Sequence, residues 1–322
     1  MSGDYASRLK EYHHKGVCGL PEKTETKRAL AGKVDQLVQL WKTAQTVVIL
    51  TGAGISTAAG IPDFRGPKGV WTLEEKEKKA AKSRKRRRGQ NDKKIDTKTD
   101  PPVMQFNKAK PTLTHRALYY LWKKGRLDLL ITQNVDGLHR RSGLPRSVLA
   151  ILHGCVFTEK CESCGYEYFR DEEVPGISFQ RTGQFCSQCQ SHLRDTLLDW
   201  CDHLPEDDWD RCQDVCDQAD LIITLGTSLR MEPAASLVRR GKRYVVVNLQ
   251  ETPYDEEAAL VIRHKVDELL HMVLTRLGYP DDWEKEYPTP DIERQSPPVD
   301  PKLGNKWWQS PVDDEEEEEV ED

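Results

Sequence analysis

At 322 residues the chain exceeds one typical domain length, leaving room for one large or two fused domains with a buried core and excluding a miniprotein held only by disulfides. Apolar residues make up 37% and charged residues 31%, the mark of a folded body that carries polar, poorly packed segments. The net charge of -5 conceals two opposed runs: residues 76–98 hold twelve Lys or Arg against three acids, and residues 313–322 hold nine acids and no base.

No apolar run approaches the roughly 18–20 residues that cross a bilayer, and the N-terminal residues lack an apolar signal region, so a soluble, intracellular protein with no membrane partner is expected. In a reducing compartment, nine cysteines are read first for metal.

In chain order, residues 33–44 place Val34, Leu37, Val38 and Trp41 on one helical face, and residues 46–50 read as a buried strand. The combination recurs: Leu118, Leu121 and Trp122 mark a helix ending at Gly125, followed by a continuous apolar strand over 127–132. Further strands are expected at 220–226 and 244–249, and a helix at 266–277. Continuous apolar strands separated by amphipathic helices predict a parallel sheet covered on both faces, the doubly wound (Rossmann-like) α/β class. Three stretches fall outside it. Residues 76–100 are charged and nearly free of large apolar side chains, and are expected to form a disordered or loosely helical insertion; residues 155–195 are Cys-rich and turn-rich; and residues 279–322 are Pro-rich, then acidic, and are expected to be a disordered tail. The domain reading is an N-terminal arm (1–29), a main domain (30–154 and 196–278) and a small inserted module (155–195).

The first strand runs into Thr51-Gly52-Ala53-Gly54-Ile55-Ser56, where two glycines allow close backbone approach to a phosphate. The third glycine of the dinucleotide fingerprint is replaced by Thr57, and the Walker Lys-Ser/Thr is absent, so the turn is weak evidence by itself. Asp63, Phe64 and Arg65 follow on a loop stiffened by Pro62 and Pro67. Gln133-Asn134-Val135-Asp136-Gly137-Leu138-His139 leaves the end of another strand, where ligands of open α/β sheets bind, and Leu152-His153-Gly154 follows. Gly226-Thr227-Ser228 and Asn248-Leu249-Gln250 close two later strands. On residue type alone, His153 reads as a capping or core histidine sooner than a catalyst, His115 and His139 read as core, and Trp71 and Trp200 as core anchors.

Cys161-x-x-Cys164 and Cys186-x-x-Cys189 form two knuckles that can complete a tetrahedral zinc site; their separation of 21 residues slightly exceeds the ribbon spacing of about 15–20. Four thiolates leave no open position, so the zinc is expected to be structural; a redox role for either pair is open but less supported. Cys155, Cys201, Cys212 and Cys216 are expected to be buried or incidental.

Taken together, Gly-Ala-Gly-Ile-Ser, Gly-Ile-Pro-Asp-Phe-Arg, Gln-Asn-Val-Asp-Gly-Leu-His, Leu-His-Gly, Gly-Thr-Ser-Leu and Val-Asn-Leu-Gln, in this order, resemble the sirtuins, NAD-dependent protein-lysine deacylases. The resemblance spans about residues 5–277. Gly-Val-Trp-Thr (69–72), Leu-Arg-Asp-Thr-Leu-Leu-Asp-Trp (193–200) and Lys-Gly-Val-Cys-Gly-Leu-Pro-Glu (15–22) are similar to the nuclear class IV branch, the sirtuin-6 and sirtuin-7 types. The resemblance implies attack on the NAD ribose carbon by the acyl oxygen of a modified lysine, release of nicotinamide, and an alkylamidate that collapses once a base deprotonates a ribose hydroxyl. It implies His153 as that base, with Asn134 ordering ribose and water and Asp136 holding the nicotinamide amide. Gly52, Ala53, Thr57, Asp63, Phe64, Arg65 and Trp71 would line the cofactor loop, together with Gln133. Gly226, Thr227 and Ser228 would meet phosphate and ribose, Asn248, Leu249 and Gln250 the adenosine ribose, and Val266 the adenine. The stretch before Val266, Ile262-Arg263-His264-Lys265, departs from the branch's usual Ile-His-Gly-Tyr.

Arg84, Lys85, Arg86, Arg87 and Arg88 read as a nuclear-import signal or a patch for DNA or chromatin, against the plainer reading of a solvated loop without a partner. The expected protein is therefore nuclear, acts on an acyl-lysine protein such as a histone, and binds NAD and zinc. Mono-ADP-ribosyl transfer from the same pocket and a chromatin scaffold are the rival functions, and the acidic tail is expected to compete with nucleic acid for the basic insertion.

Overall fold

A computed structural model describes residues 9–10, 12, 15–87, 106–286 and 292–299. Helix α1 (Lys27–Thr43) opens under a Thr26 cap, whose side chain accepts from the Ala29 amide, and buries Leu30, Val34, Leu37, Val38 and Trp41. Strand β1 (Val47–Thr51) is buried on both faces. It is followed by α2 (Val70–Arg87), α3 (Leu113–Lys123), β2 (Leu129–Thr132), the short α4 (Leu138–Arg141) and β3 (Leu149–Ile151). A second group of strands comprises β4 (Thr158–Cys161), β5 (Glu167–Phe169), β6 (Arg181–Phe185) and β7 (His192–Asp195). The chain then forms α5 (Glu206–Gln218), β8 (Leu221–Leu225), β9 (Tyr244–Val247), β10 (Leu260–Ile262), α6 (Val266–Leu277) and β11 (Gln295–Ser296).

Six strands make an all-parallel sheet in the order β10-β9-β8-β1-β2-β3. Alternation along β1 divides the core in two. Val47 and Ile49 pack with Leu37, Trp41, Leu118 and Leu270 on one face, while Val48 and Leu50 pack with Cys212, Cys216 and Leu237 on the other. This is the doubly wound arrangement expected from the apolar runs. The chain order reverses between β1 and β8, so the turns after these two strands flank the switch point at which such sheets bind ligands. The second sheet, β11-β5-β4-β7-β6, is antiparallel and carries the four clustered cysteines.

One expectation is met in its helical alternative and one is corrected. Residues 76–87 continue helix α2, because no Gly or Pro interrupts residues 70–88 and Glu74–Lys78 and Glu75–Lys79 pair across one turn. Residues 88–100, with Arg88, lie outside the described residues. The expected disordered tail does not begin at 279: Trp283 is buried against Tyr120, with ring centroids 5.2 Å apart, and β11 pairs with β5, where the Phe169 amide donates to the Arg294 carbonyl. The acidic run 313–322 lies outside the described residues. Among the described residues, no helix is long and apolar enough to cross a membrane.

Candidate active site

At the switch point the loops after β1 and β8 interlock. The Gly52 amide donates to the Leu225 carbonyl and the Gly54 amide to the Gly226 carbonyl; a Cβ on Gly54 would lie 2.8 Å from that same carbonyl oxygen, so only glycine permits this approach. The loops border a cavity of about 520 Å³, within the range of small-molecule sites. Its wall includes Gly52, Ala53, Gly226, Thr227 and Ser228 from these turns, and Asn248 and Gln250 from the end of β9.

Asn134 and Asp136, beyond β2, form the floor with Ser56. The Ser56 hydroxyl donates to Asp136 Oδ2 at 2.6 Å, the Leu138 amide donates to Asp136 Oδ1, and Asn134 Nδ2 donates to the Gly52 carbonyl at 3.1 Å. Burial pushes the Asp136 carboxyl above its usual range, while Ser56 and the Leu138 amide oppose this. Ser56 received no role from the sequence, although its hydroxyl is the partner that holds Asp136.

His153 follows β3 and faces the cavity. Its Nδ1 lies 3.1 Å from the Gln133 carbonyl, which can only accept, so Nδ1 carries the proton and Nε2 keeps its lone pair. Burial lowers its pKa to about 4, with the Gln133 carbonyl opposing, so the ring is neutral at pH 7. The turn beyond is fixed by Gly154 (φ +75°), where a Cβ would lie 1.8 Å from the Thr196 carbonyl oxygen. Gln133 itself reaches the cavity with a buried Nε2 that has no hydrogen-bond partner among the described residues.

The roof comes from the 61–72 stretch and the N-terminal arm. Asp63, Phe64, Arg65 and Trp71 all reach the cavity. Arg65 donates through Nε to the Lys15 carbonyl and through Nη1 to Ser228 Oγ, and lies over the Trp71 ring at 4.5 Å. Burial brings its pKa down to about 10, so it remains a cation. Gln250 Nε2 donates to the Leu20 and Arg65 carbonyls, tying arm, loop and sheet together.

Three predicted residues stay out of the cavity wall. Thr57 is exposed and donates to the Gly54 carbonyl, Leu249 uses its carbonyl to hold the Lys23 amide, and Val266 is buried in the core at the start of α6. Trp200, expected as a core anchor, instead lines the cavity; it stacks on Tyr12 at 4.4 Å and donates from Nε1 to the Lys10 carbonyl. Leu198, Asp199 and His203 join the wall from the same connector; the 193–200 motif pointed to the branch but gave these side chains no role in the site. Asp195 begins that connector. Burial pushes its carboxyl up to about 7, Asp202 adds to the shift, and the Leu197 and Gln180 amides oppose it. His115 and His139 are buried side by side with ring centroids 4.6 Å apart; burial lowers both, His139 to about 3, and neither lines the cavity.

In the second sheet, the Cys161, Cys164, Cys186 and Cys189 sulfurs all lie within 4.8 Å of one another, with Cys161–Cys189 at 3.4 Å and Cys164–Cys186 at 3.5 Å. A tetrahedral zinc with Zn–S bonds of about 2.3 Å has sulfur–sulfur edges of about 3.8 Å, so the cluster fits a closed zinc site. Cys155, Cys212 and Cys216 are buried and Cys201 is exposed, all as free thiols.

Residues 52–233 match the Sir2 family, more than half of the chain. The chain belongs to the Sir2 family. It is 42% identical over 280 residues to the NAD-dependent protein deacetylase SRT1 of Oryza sativa subsp. indica, covering 85% of this chain and 54% of that protein. It is 37% identical over 315 residues to the NAD-dependent protein deacetylase Sirt6 of Drosophila melanogaster, covering 93% and 92%. The chain thus spans about half the length of the plant SRT1 proteins it matches and nearly all of the fly protein. A solved structure of Sir2 with a p53 peptide and NAD+ superposes with a TM-score of 0.54 at 32% identity, covering 76% of this chain and 99% of that one. Similarity to proteins named Sirt6 and sirtuin-7 agrees with the branch suggested by residues 15–22, 69–72 and 193–200.

Proposed function

We propose that this Sir2-family chain is an NAD-dependent protein-lysine deacylase in which His153 is the general base. The observation that carries the reading is the His153 tautomer: Nδ1 is committed to the Gln133 carbonyl, which leaves a neutral Nε2 acceptor on a ring that lines a cavity floored by Asn134 and Asp136. NAD would supply a ribose carbon whose bond to nicotinamide is labile. The site's polar groups suit such a ligand: Gln133 Nε2 is an unused buried donor, Arg65 is a cation for phosphate, and Asn134 is a fixed amide. Asp136, held by Ser56 and the Leu138 amide, would orient a carboxamide, and Phe64 would screen the reacting carbon. Gly226, Thr227 and Ser228 would take phosphate and ribose, with Asn248 and Gln250 at the second ribose. Zinc in the four-cysteine cluster would be structural.

The substrate would be an acyl-lysine of a chromatin protein, a histone foremost, and the protein nuclear. Support for a protein substrate comes from relatives named NAD-dependent protein deacetylases; the chromatin and nuclear parts rest on the basic run 84–88, which would hold DNA through its phosphates. The test is nicotinamide release measured with and without an acetyl-lysine peptide. Release should depend on the peptide in the unmodified chain, and formation of deacylated peptide should vanish in His153→Tyr; peptide-independent release, or full deacylation by the variant, would overturn the reading.

A further inference from the structure

Strand β3 is the last strand of the parallel sheet, so β2 pairs with only one of its sides. Its other side is buried, and an unpaired buried backbone group there would be costly. Side chains, not a strand, close that edge. Asp208, in the first turn of α5, accepts the Ile151 amide on Oδ2 at 3.0 Å; Arg146 Nη1 and Arg211 Nη2 donate to the Leu149 carbonyl at 2.5 and 2.7 Å. The same groups bind one another. Arg146 makes a two-pronged pair with Asp208 (2.9 and 2.7 Å), and Arg211 reaches Asp208 Oδ1 at 2.8 Å. Arg146 also makes a second two-pronged pair with Glu167 of β5 (2.9 and 3.1 Å), so one guanidinium joins the parallel sheet's edge to the zinc sheet. Beside it, Lys160 of β4 pairs with Asp207 at 2.8 Å. Arg146, Asp208 and Glu167 are each at most 5% exposed. Buried ions gain little stability over apolar packing, so the network's distinctive product is the geometry it fixes.

That geometry ends at His153. Ile151 is gripped by Asp208 on the outer side, and the Leu152 amide donates to the Thr132 carbonyl on the inner side. The next residue is His153, whose ring is aligned by the Gln133 carbonyl just past β2. A slip of β3 along β2 would therefore stretch this bond directly. We propose that Asp208 and Arg146 are positioning residues for His153, acting as a charged substitute for a seventh strand that locks the register of β3 and, through Glu167, the seat of the zinc sheet beside it.

The kinetic part of the test rests on the deacylase reading. Exchange of labelled nicotinamide into NAD, with acyl-peptide present, reports the step before the base acts, whereas deacylation needs the base. In the full-length, zinc-loaded protein, Asp208→Asn should lower deacylation roughly 10- to 100-fold while exchange stays within about twofold. The Cε1–H resonance of His153, assigned by its loss in His153→Tyr, should move in Asp208→Asn. Arg211→Ala, at a partly exposed position, should give the same split at smaller size and decides the matter if Asp208→Asn does not fold. Parallel loss of exchange and deacylation, or unchanged rates with an unmoved His153 signal, would overturn the proposal. If the unmodified chain deacylates nothing, the deacylase reading fails, and the His153 signal alone judges the positioning role.

Discussion

Asp195 sits at the start of the connector that delivers Leu198 and Trp200 to the cavity, and its ionisation should set a pH-dependent stability. Burial raises the folded carboxyl from 3.8 to about 7, so between these values the folded state holds a proton that the unfolded state has lost. Stability from this group is complete below the unfolded value and is lost as pH rises through the folded one. Replacement by Asn imitates the protonated acid and removes the dependence, leaving an oxygen for the Leu197 amide. From the two pKa values, the loss in the unmodified chain amounts to about 2.3 kcal/mol at pH 5.5 and about 4.3 kcal/mol at pH 8.5. The advantage of Asp195→Asn should therefore grow by about 2 kcal/mol between these conditions, whatever the substitution costs in packing. Groups that the substitution leaves untouched cancel in the comparison. Urea unfolding of both proteins with zinc present, at the two pH values and with equal m-values, measures the difference. A gap that stays constant, or shrinks as pH rises, would refute the assignment of a proton to Asp195.

The packing of the chain beyond α6 can be tested at Trp283, which is 3% exposed and lies against Tyr120. Trp283→Ala should cost about 3–5 kcal/mol in chemical unfolding, and a cost below about 1 kcal/mol would return the segment to the status of a loose tail. For the basic run, replacing Arg84, Lys85, Arg86, Arg87 and Arg88 by alanine keeps helix propensity but removes charge. The slope of DNA affinity against salt should then fall by about 0.9 for each phosphate that is no longer neutralised; an unchanged slope would exclude the run from the DNA-binding surface.

What could be read from the sequence divides by how local its cause is. Strands β1, β2, β8 and β9 announced themselves because burial on both faces demands an unbroken apolar run, as in Val47–Thr51 and Leu221–Leu225. Strands β3 and β10 have three residues each, too few for a run to stand out from its surroundings, and neither was foreseen. The cysteine cluster was legible because each knuckle is a four-residue spacing. The part of the tail up to residue 299 was misjudged for the opposite reason: its proline content described the average of residues 279–322, whereas the packing of the described part depends on single residues, Trp283 and Ser296, meeting partners far away in the chain.

The cavity follows the same division. In a parallel sheet the strand ends lie on one side, so residues placed just after β1, β2, β3, β8 and β9 converge there without any further instruction. Hence Gly52, Asn134, Thr227 and Gln250 could be grouped from their places in the chain, whereas His153, after the unforeseen β3, was singled out only through its motif; all five reach the cavity. Residues that approach from the sheet's open edge have no such rule. Arg146 and Asp208 are 62 positions apart, and each is of a type that normally faces water. Trp200 arrives on a connector whose course depends on how the zinc sheet is seated. The part of the site least visible in the sequence is thus the part controlled by the meeting of the two sheets, and the register of His153 lies where the legible and the illegible halves join.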